Sequence, residues 1–127
     1  MRLNHLALVF SSEEKSDRFF IELLGLAKLR SRLLTLDFGR RLFNLDREVK
    51  FVDYGREDLR FEVFIDPESG SRPDPLAHVC LEVNDRPSFL GRAEAMGLKV
   101  TQAAKGEAVV VFIEDSDGHF YEIKERA

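Results

Sequence analysis

The chain has 127 residues, 44% of them hydrophobic and 33% charged, and a formal net charge of −4. That is enough apolar material for one compact domain with its own core, and the acidic balance argues against the basic surface that general nucleic-acid binding requires. A single cysteine, Cys80, cannot build a disulfide framework and suits a reducing compartment. No apolar run approaches a bilayer span, and the N-terminal "MRLNHLALVF" has no small-residue cleavage site, so the expectation is a cytoplasmic protein without membrane partners.

The first element, "LNHLALVF", alternates as a strand does, with His5, Ala7 and Val9 on one face and Leu6, Leu8 and Phe10 on the other. A helix is expected over 13–24, with Ser12 as its N-cap and Glu13 and Glu14 in its acidic first turn. Phe19, Phe20, Leu23 and Leu24 form its apolar stripe, and Gly25 sits where a left-handed C-terminal cap is wanted. Strands are expected over 27–32 and 48–54. Between them, the spacing of Leu34, Phe38, Leu42 and Leu45 in 34–45 suits a short helix that Gly39 weakens. The strand "LRFEVFID" then places Glu62 with Phe64, opposite Phe61, Val63 and Ile65.

"DPESGSRPDP" is the only linker-like stretch, and after it the pattern starts again. "LAHVCLEV" puts His78, Cys80 and Glu82 opposite Val79, Leu81 and Val83. A second helix is expected over 86–96, with Asp85 as cap, Pro87 in its first turn, Phe89, Leu90, Ala93 and Met96 buried, and Gly97 ending it. Strands are expected over 98–103 and 107–114, and the closing "HFYEIKE" sets Glu122 with Phe120, opposite Tyr121 and Ile123. Histidine, glycine and glutamate thus recur in one order. His5 to Gly25 spans 20 positions and His78 to Gly97 spans 19, whereas His5 to Glu62 spans 57 against 44 from His78 to Glu122.

Each half reads as a strand, a helix and three further strands. The fold class is α+β: module one at 1–66, a joint at 67–75 and module two at 76–127, joined as a single domain. In all four His- or Glu-bearing strands the opposite face is the apolar one and is expected to pack on the helices. A carboxylate inside a strand costs free energy unless a proton, a cation or donors meet it. Two imidazoles and two carboxylates on one sheet surface suit a divalent ion such as Zn²⁺, Ni²⁺, Co²⁺, Mn²⁺ or Fe²⁺.

The stretches "NHLALVF…RFFIELLGL", "AHVCLEV…AEAMGLKV" and "VVVFIEDSDGHFYEIKE" resemble the vicinal oxygen chelate superfamily, which includes glyoxalase I and the bleomycin-resistance proteins. The resemblance covers essentially the whole chain; "DSDG" departs from the usual turn by Ser116 in place of proline. It implies two tandem βαβββ modules forming a curved, cup-like mixed sheet with helices outside, and one divalent metal held by His5, Glu62, His78 and Glu122. The module pair is expected within one chain or across a homodimer. The implied chemistry is proton transfer next to a carbonyl in a small oxygenated substrate or its thioester, of isomerase, lyase or epimerase type. Glu122 is the first choice of base and Glu62 the second. Ala7, Phe64, Cys80 and Phe120 would line the pocket, with Cys80 inert. Lys28, Arg30 and Arg32 share parity in 27–32, and Arg30 and Arg32 are candidates for an anion clamp. His119 is expected to be exposed. Glutathione-binding residues are not evident, and region 27–58 departs from glyoxalase I. The two-histidine, one-glutamate pattern of the extradiol dioxygenases fits only loosely. The rival reading is a metal-free, drug-sequestering binding protein of the same fold.

Overall fold

A computed structural model describes residues 1–68 and 73–127, so the middle of the expected joint lies outside the described residues. The chain divides into two compact units, Met1–Gly70 and Ser71–Ala127. Each contains a four-stranded mixed sheet, and the α+β class holds.

In the first unit β1 (Leu6–Phe10) leads into α1 (Glu13–Asp17), which continues as a π-helical segment, Arg18–Leu23. Ser12 caps α1 by accepting the Lys15 N–H. The expected helix at 13–24 is therefore not uniform: the Leu24 N–H reaches back five residues to the Phe19 carbonyl. This wider turn accommodates Phe19 and Phe20 side by side, edge to face at 5.1 Å, with both rings buried. Leu24, expected inside, is only half-buried. Gly25 closes the segment at φ +71°.

β2 (Ala27–Leu34), α2 (Leu36–Phe43), β3 (Val49–Arg56) and β4 (Leu59–Ile65) complete the unit. β4 is central, parallel to β1 and antiparallel to β3, giving the order β1-β4-β3-β2. The helical segment covers one face of this sheet. Phe20 sits 5.3 Å from Phe10, 4.8 Å from Tyr54 and 5.0 Å from Phe61. Burying one such ring stabilises by about 1.5–3 kcal/mol. Polar groups inside this layer are paired: Ser16 Oγ donates to the Tyr54 hydroxyl at 2.8 Å, which donates to Asp17 at 2.6 Å.

α2 accounts for the extra length of the first half and settles the ambiguous stretch as helix. It stands over the opposite sheet face, where the Phe43 ring meets Phe64 at 5.9 Å. Gly39 is turned inward, while Phe38 and Leu42, whose spacing signals the helix, are 58% and 67% exposed.

The second unit repeats the plan without that helix. β5 (His78–Val83), α3 (Arg86–Ala95), β6 (Lys99–Lys105), β7 (Ala108–Glu114) and β8 (Phe120–Glu125) give the order β5-β8-β7-β6. Asp85 caps α3 by accepting the Ser88 N–H at 2.9 Å. Phe89, Leu90 and Ala93 are buried with Val111, Ile113, Tyr121 and Ile123, while Met96 is half-buried. Among the described residues no helix is long and apolar enough to cross a membrane.

Candidate metal and substrate site

The alternation read from the strands is the alternation observed. His5, Ala7 and Val9 are exposed while Leu6, Leu8 and Phe10 turn inward, and β5 repeats this residue for residue. In register, Ala7 lies beside Glu62 and Val9 beside Phe64; in the second unit Cys80 lies beside Glu122 and His78 beside Phe120. Each unit thus brings one histidine to one glutamate. His5 Nε2 is 3.6 Å from the Glu62 carboxylate, and His78 Nε2 is 3.7 Å from that of Glu122.

The histidines are held alike. His5 Nδ1 is bonded to the Asn4 side-chain oxygen at 2.8 Å, and His78 Nδ1 to the Leu76 carbonyl at 3.0 Å. An oxygen of this kind only accepts, so Nδ1 carries a proton, and Nε2 is turned toward the glutamate. At 3.6 and 3.7 Å neither pair is in direct hydrogen-bonding contact. Two atoms that ligate one small divalent ion at about 2.1 Å each lie roughly 3–3.5 Å apart, so each pair suits a shared cation. Among the described residues no group of three or more His, Cys, Asp or Glu is gathered for a metal. The donor set is divided, one pair to a unit.

The surroundings of the two glutamates differ. Across from Glu62 in the register is Asp53, which the sequence reading did not single out. Asp53 is 2% exposed and receives Arg30 Nε at 3.0 Å and Arg32 at 3.0 and 3.2 Å. Arg32 also reaches within 3.6 Å of Glu62 and lies over the Phe51 ring at 4.3 Å. The available signal was local: an acidic residue set between apolar Val52 and Tyr54 within a strand. Across from Glu122 stands Phe112, whose ring meets His78 at 5.0 Å, and the cation beside Glu122 is Lys124 at 3.9 Å.

Two expectations are corrected. Lys28 does not share a face with Arg30 and Arg32, because the register shifts between Lys28 and Arg30. This bulge sends Lys28 to the helical side, where it pairs with Glu13 at 2.5 Å and Asp17 at 3.1 Å. His119 is not exposed: it is 8% accessible, and its Nδ1 donates to Asp115 at 2.8 Å. Asp115 also accepts the N–H groups of Asp117 and His119 and the Tyr121 hydroxyl, so the histidine belongs to the turn's own hydrogen-bonding.

Ala7 and Phe64 line an apolar cleft of about 310 Å³ with Val9, Leu34 and Phe43. Cys80 is exposed on the Glu122 face; burial, and then the charge of Glu122, push its thiol above the usual range, as an inert role requires.

No profile of a known protein family matches the chain. A lactoylglutathione lyase of Neisseria meningitidis is 31% identical to it over 127 residues, covering 94% of this chain and 86% of the relative. Among solved structures, a glyoxalase family protein of Bacillus cereus superposes with a TM-score of 0.78 at 16% identity, covering 98% of this chain and 93% of that one. The fosfomycin resistance protein FosX of Listeria monocytogenes, solved with Mn(II) and sulfate, gives 0.69 at 17% identity over 98% and 92% of the two chains. At these identities the structural likeness speaks for the fold, while the curated relative speaks for descent. The chain belongs to the glyoxalase, or vicinal oxygen chelate, superfamily.

Proposed function

We propose that this protein is a divalent-metal-dependent enzyme that moves a proton next to a carbonyl group, on a small oxygenated substrate or its thioester. The observation that carries this reading is the twice-repeated His–Glu pair, with Nε2 aimed at a carboxylate at 3.6 and 3.7 Å. His5 and Glu62 from the first unit and His78 and Glu122 from the second would hold one ion, within a chain or across a homodimer. The lactoylglutathione lyase relatives and the Mn(II) in the FosX structure support a metal-bearing member. Such an ion would supply stabilisation for the negative charge that develops as the proton leaves.

The chain's own residues divide the remaining work. His5 and His78 are kept in one tautomer by Asn4 and Leu76 and serve as ligands. Glu62 is shared with Arg32, which tethers it. Beside His78 and Cys80, Glu122 has the exposed Lys124 at 3.9 Å and apolar Phe112 across the sheet, with no arginine tether, so it is the freer of the two to swing and take the proton. The exposed faces of Ala7, Phe64, Cys80 and Phe120 line the approach. The setting of the activity is the cytoplasm.

The test has two stages. Protein purified without chelator or histidine tag is analysed for metal after incubation with Ni²⁺, Co²⁺, Mn²⁺ or Zn²⁺. The loaded protein is then mixed in D₂O with hemithioacetals of 2-oxoaldehydes and with 2-substituted acyl thioesters. Stoichiometric metal and exchange of the hydrogen beside the carbonyl are expected, with exchange lost in Glu122→Gln. Full exchange by that variant removes Glu122 as base. Failure to take up any of the ions overturns the enzyme reading in favour of a metal-free binder.

A further inference from the structure

We infer that the first unit carries a carboxylate-binding subsite, formed by Arg30 and Arg32 beside the apolar cleft, and that the substrate joins an acid group to a short hydrocarbon body. This deepens the proposed function, because it names the class of molecule brought to the His–Glu pairs.

The internal repeat supplies the first argument. By register, Arg30, Arg32 and Asp53 occupy the positions that Thr101, Ala103 and Phe112 hold in the second unit. Each unit forms its own sheet of the same strand order, so the charged trio is not something the fold requires. It is confined to one half, on the face that bears Glu62.

The second argument is the hydrogen-bonding inventory. Asp53 is a buried carboxylate facing two guanidinium groups, of which only that of Arg32 also reaches Glu62, at 3.6 Å. Arg30 spends only its Nε on Asp53, and its side chain is 59% exposed. Arg32 uses one terminal nitrogen for both Asp53 oxygens, and its Nε is buried with no hydrogen-bond partner. Asp53 holds both heads, and the Phe51 ring also holds that of Arg32, while the terminal nitrogens of the exposed Arg30 stay available. A planar fork with donors to spare matches a carboxylate in two-point contact.

The third argument is adjacency. Phe51, which carries Arg32 at 4.3 Å, stacks on Phe64 at 5.1 Å, and Phe64 forms one wall of the apolar cleft. The carboxylate at the edge of that cleft, Asp66, is already bonded to Arg47. A ligand with its acid group on the arginines can therefore lay an apolar body along the aromatic pair. At about 310 Å³ the cleft is at the small end of ligand sites.

The experiment is calorimetric titration of the full chain with butyrate, hexanoate and hexanamide, with Ni²⁺ uptake measured on the same preparations. Hexanoate is expected to bind about tenfold or more tightly than hexanamide, and more tightly than butyrate. Arg30→Ala leaves Asp53 paired with Arg32, and Arg32→Lys keeps a cation on Asp53, so both variants retain the fold. Each should lose about tenfold in hexanoate affinity while hexanamide is unaffected. Hexanamide binding as well as hexanoate, or both variants binding hexanoate like wild type, overturns the subsite. If Ni²⁺ is taken up in either of those cases, the reaction site stands without this subsite. Preferential hexanoate binding by a protein that takes up no metal supports the subsite and removes the proposed reaction.

Discussion

Replacing Asp115 by alanine tests whether one buried anion holds the turn that leads into β8 and therefore positions Glu122. Asp115 is 5% exposed. Its oxygens accept the Asp117 N–H at 2.9 Å, the His119 N–H at 3.0 Å, His119 Nδ1 at 2.8 Å and the Tyr121 hydroxyl at 2.7 Å. Burial, and then the charge of Asp115, drive the Tyr121 phenol well above its ordinary range, so it stays a donor at any working pH. Alanine removes the acceptor from all of these groups, and the Tyr121 hydroxyl lies where water does not reach. One bond to a charged acceptor contributes about 1.5–3 kcal/mol. The contributions do not add, because the turn can open and hydrate its backbone N–H groups. The expected loss is about 3–5 kcal/mol, the range for breaking a buried charged network. Asparagine keeps the shape and one acceptor oxygen, and should cost about 1–2 kcal/mol. In urea, with a slope of about 2 kcal/mol per molar, Asp115→Ala should lower the midpoint by roughly 2 M and Asp115→Asn by less than half of that. An alanine variant within about 0.5 kcal/mol of wild type at unchanged slope would refute the reasoning and show that backbone geometry alone holds the turn.

Lys28, and then Lys50, hold the Glu13 carboxyl below its ordinary range. The folded value lies under the unfolded one, so this stabilisation is complete above the normal carboxylate range and is lost as pH falls through the lowered value. Glu13→Gln should therefore be less stable than wild type near neutrality, by no more than about 1 kcal/mol, with the two urea midpoints converging in acid. Gly97 sits at φ +82° with open space where a Cβ would go, so Gly97→Ala should cost about 1–2 kcal/mol from backbone strain alone, read as a fall in Tm. Cys80, though exposed, should alkylate more slowly than a free thiol at neutral pH, with a reaction midpoint above that of a free thiol, because burial and then Glu122 raise its pKa.

The elements that rest on local rules were legible in the chain. Period-two alternation placed His5 and Glu62, and then His78 and Glu122, opposite the apolar faces of their strands. Ser12, Asp85, Gly25 and Gly97 marked helix ends because capping is a matter of adjacent residues. The repeat of histidine, glycine and glutamate exposed the two-unit plan before any strand was paired.

Only the tertiary structure decided what stands beside those residues. A bulge of one residue between Lys28 and Arg30 reversed the face of everything before it, and no feature of "AKLRSR" announces that shift. Asp53 came to face Glu62, and Phe112 to face Glu122, through cross-strand register, which depends on how distant segments align. His119 was drawn inward as a donor to Asp115, the buried residue that follows β7. Alternation along a strand is dictated by backbone geometry within a few residues, whereas neighbours across a sheet are chosen by packing over the whole unit. The candidate ligands were therefore legible in the chain, and the arginine–aspartate cluster that distinguishes one half from the other was not.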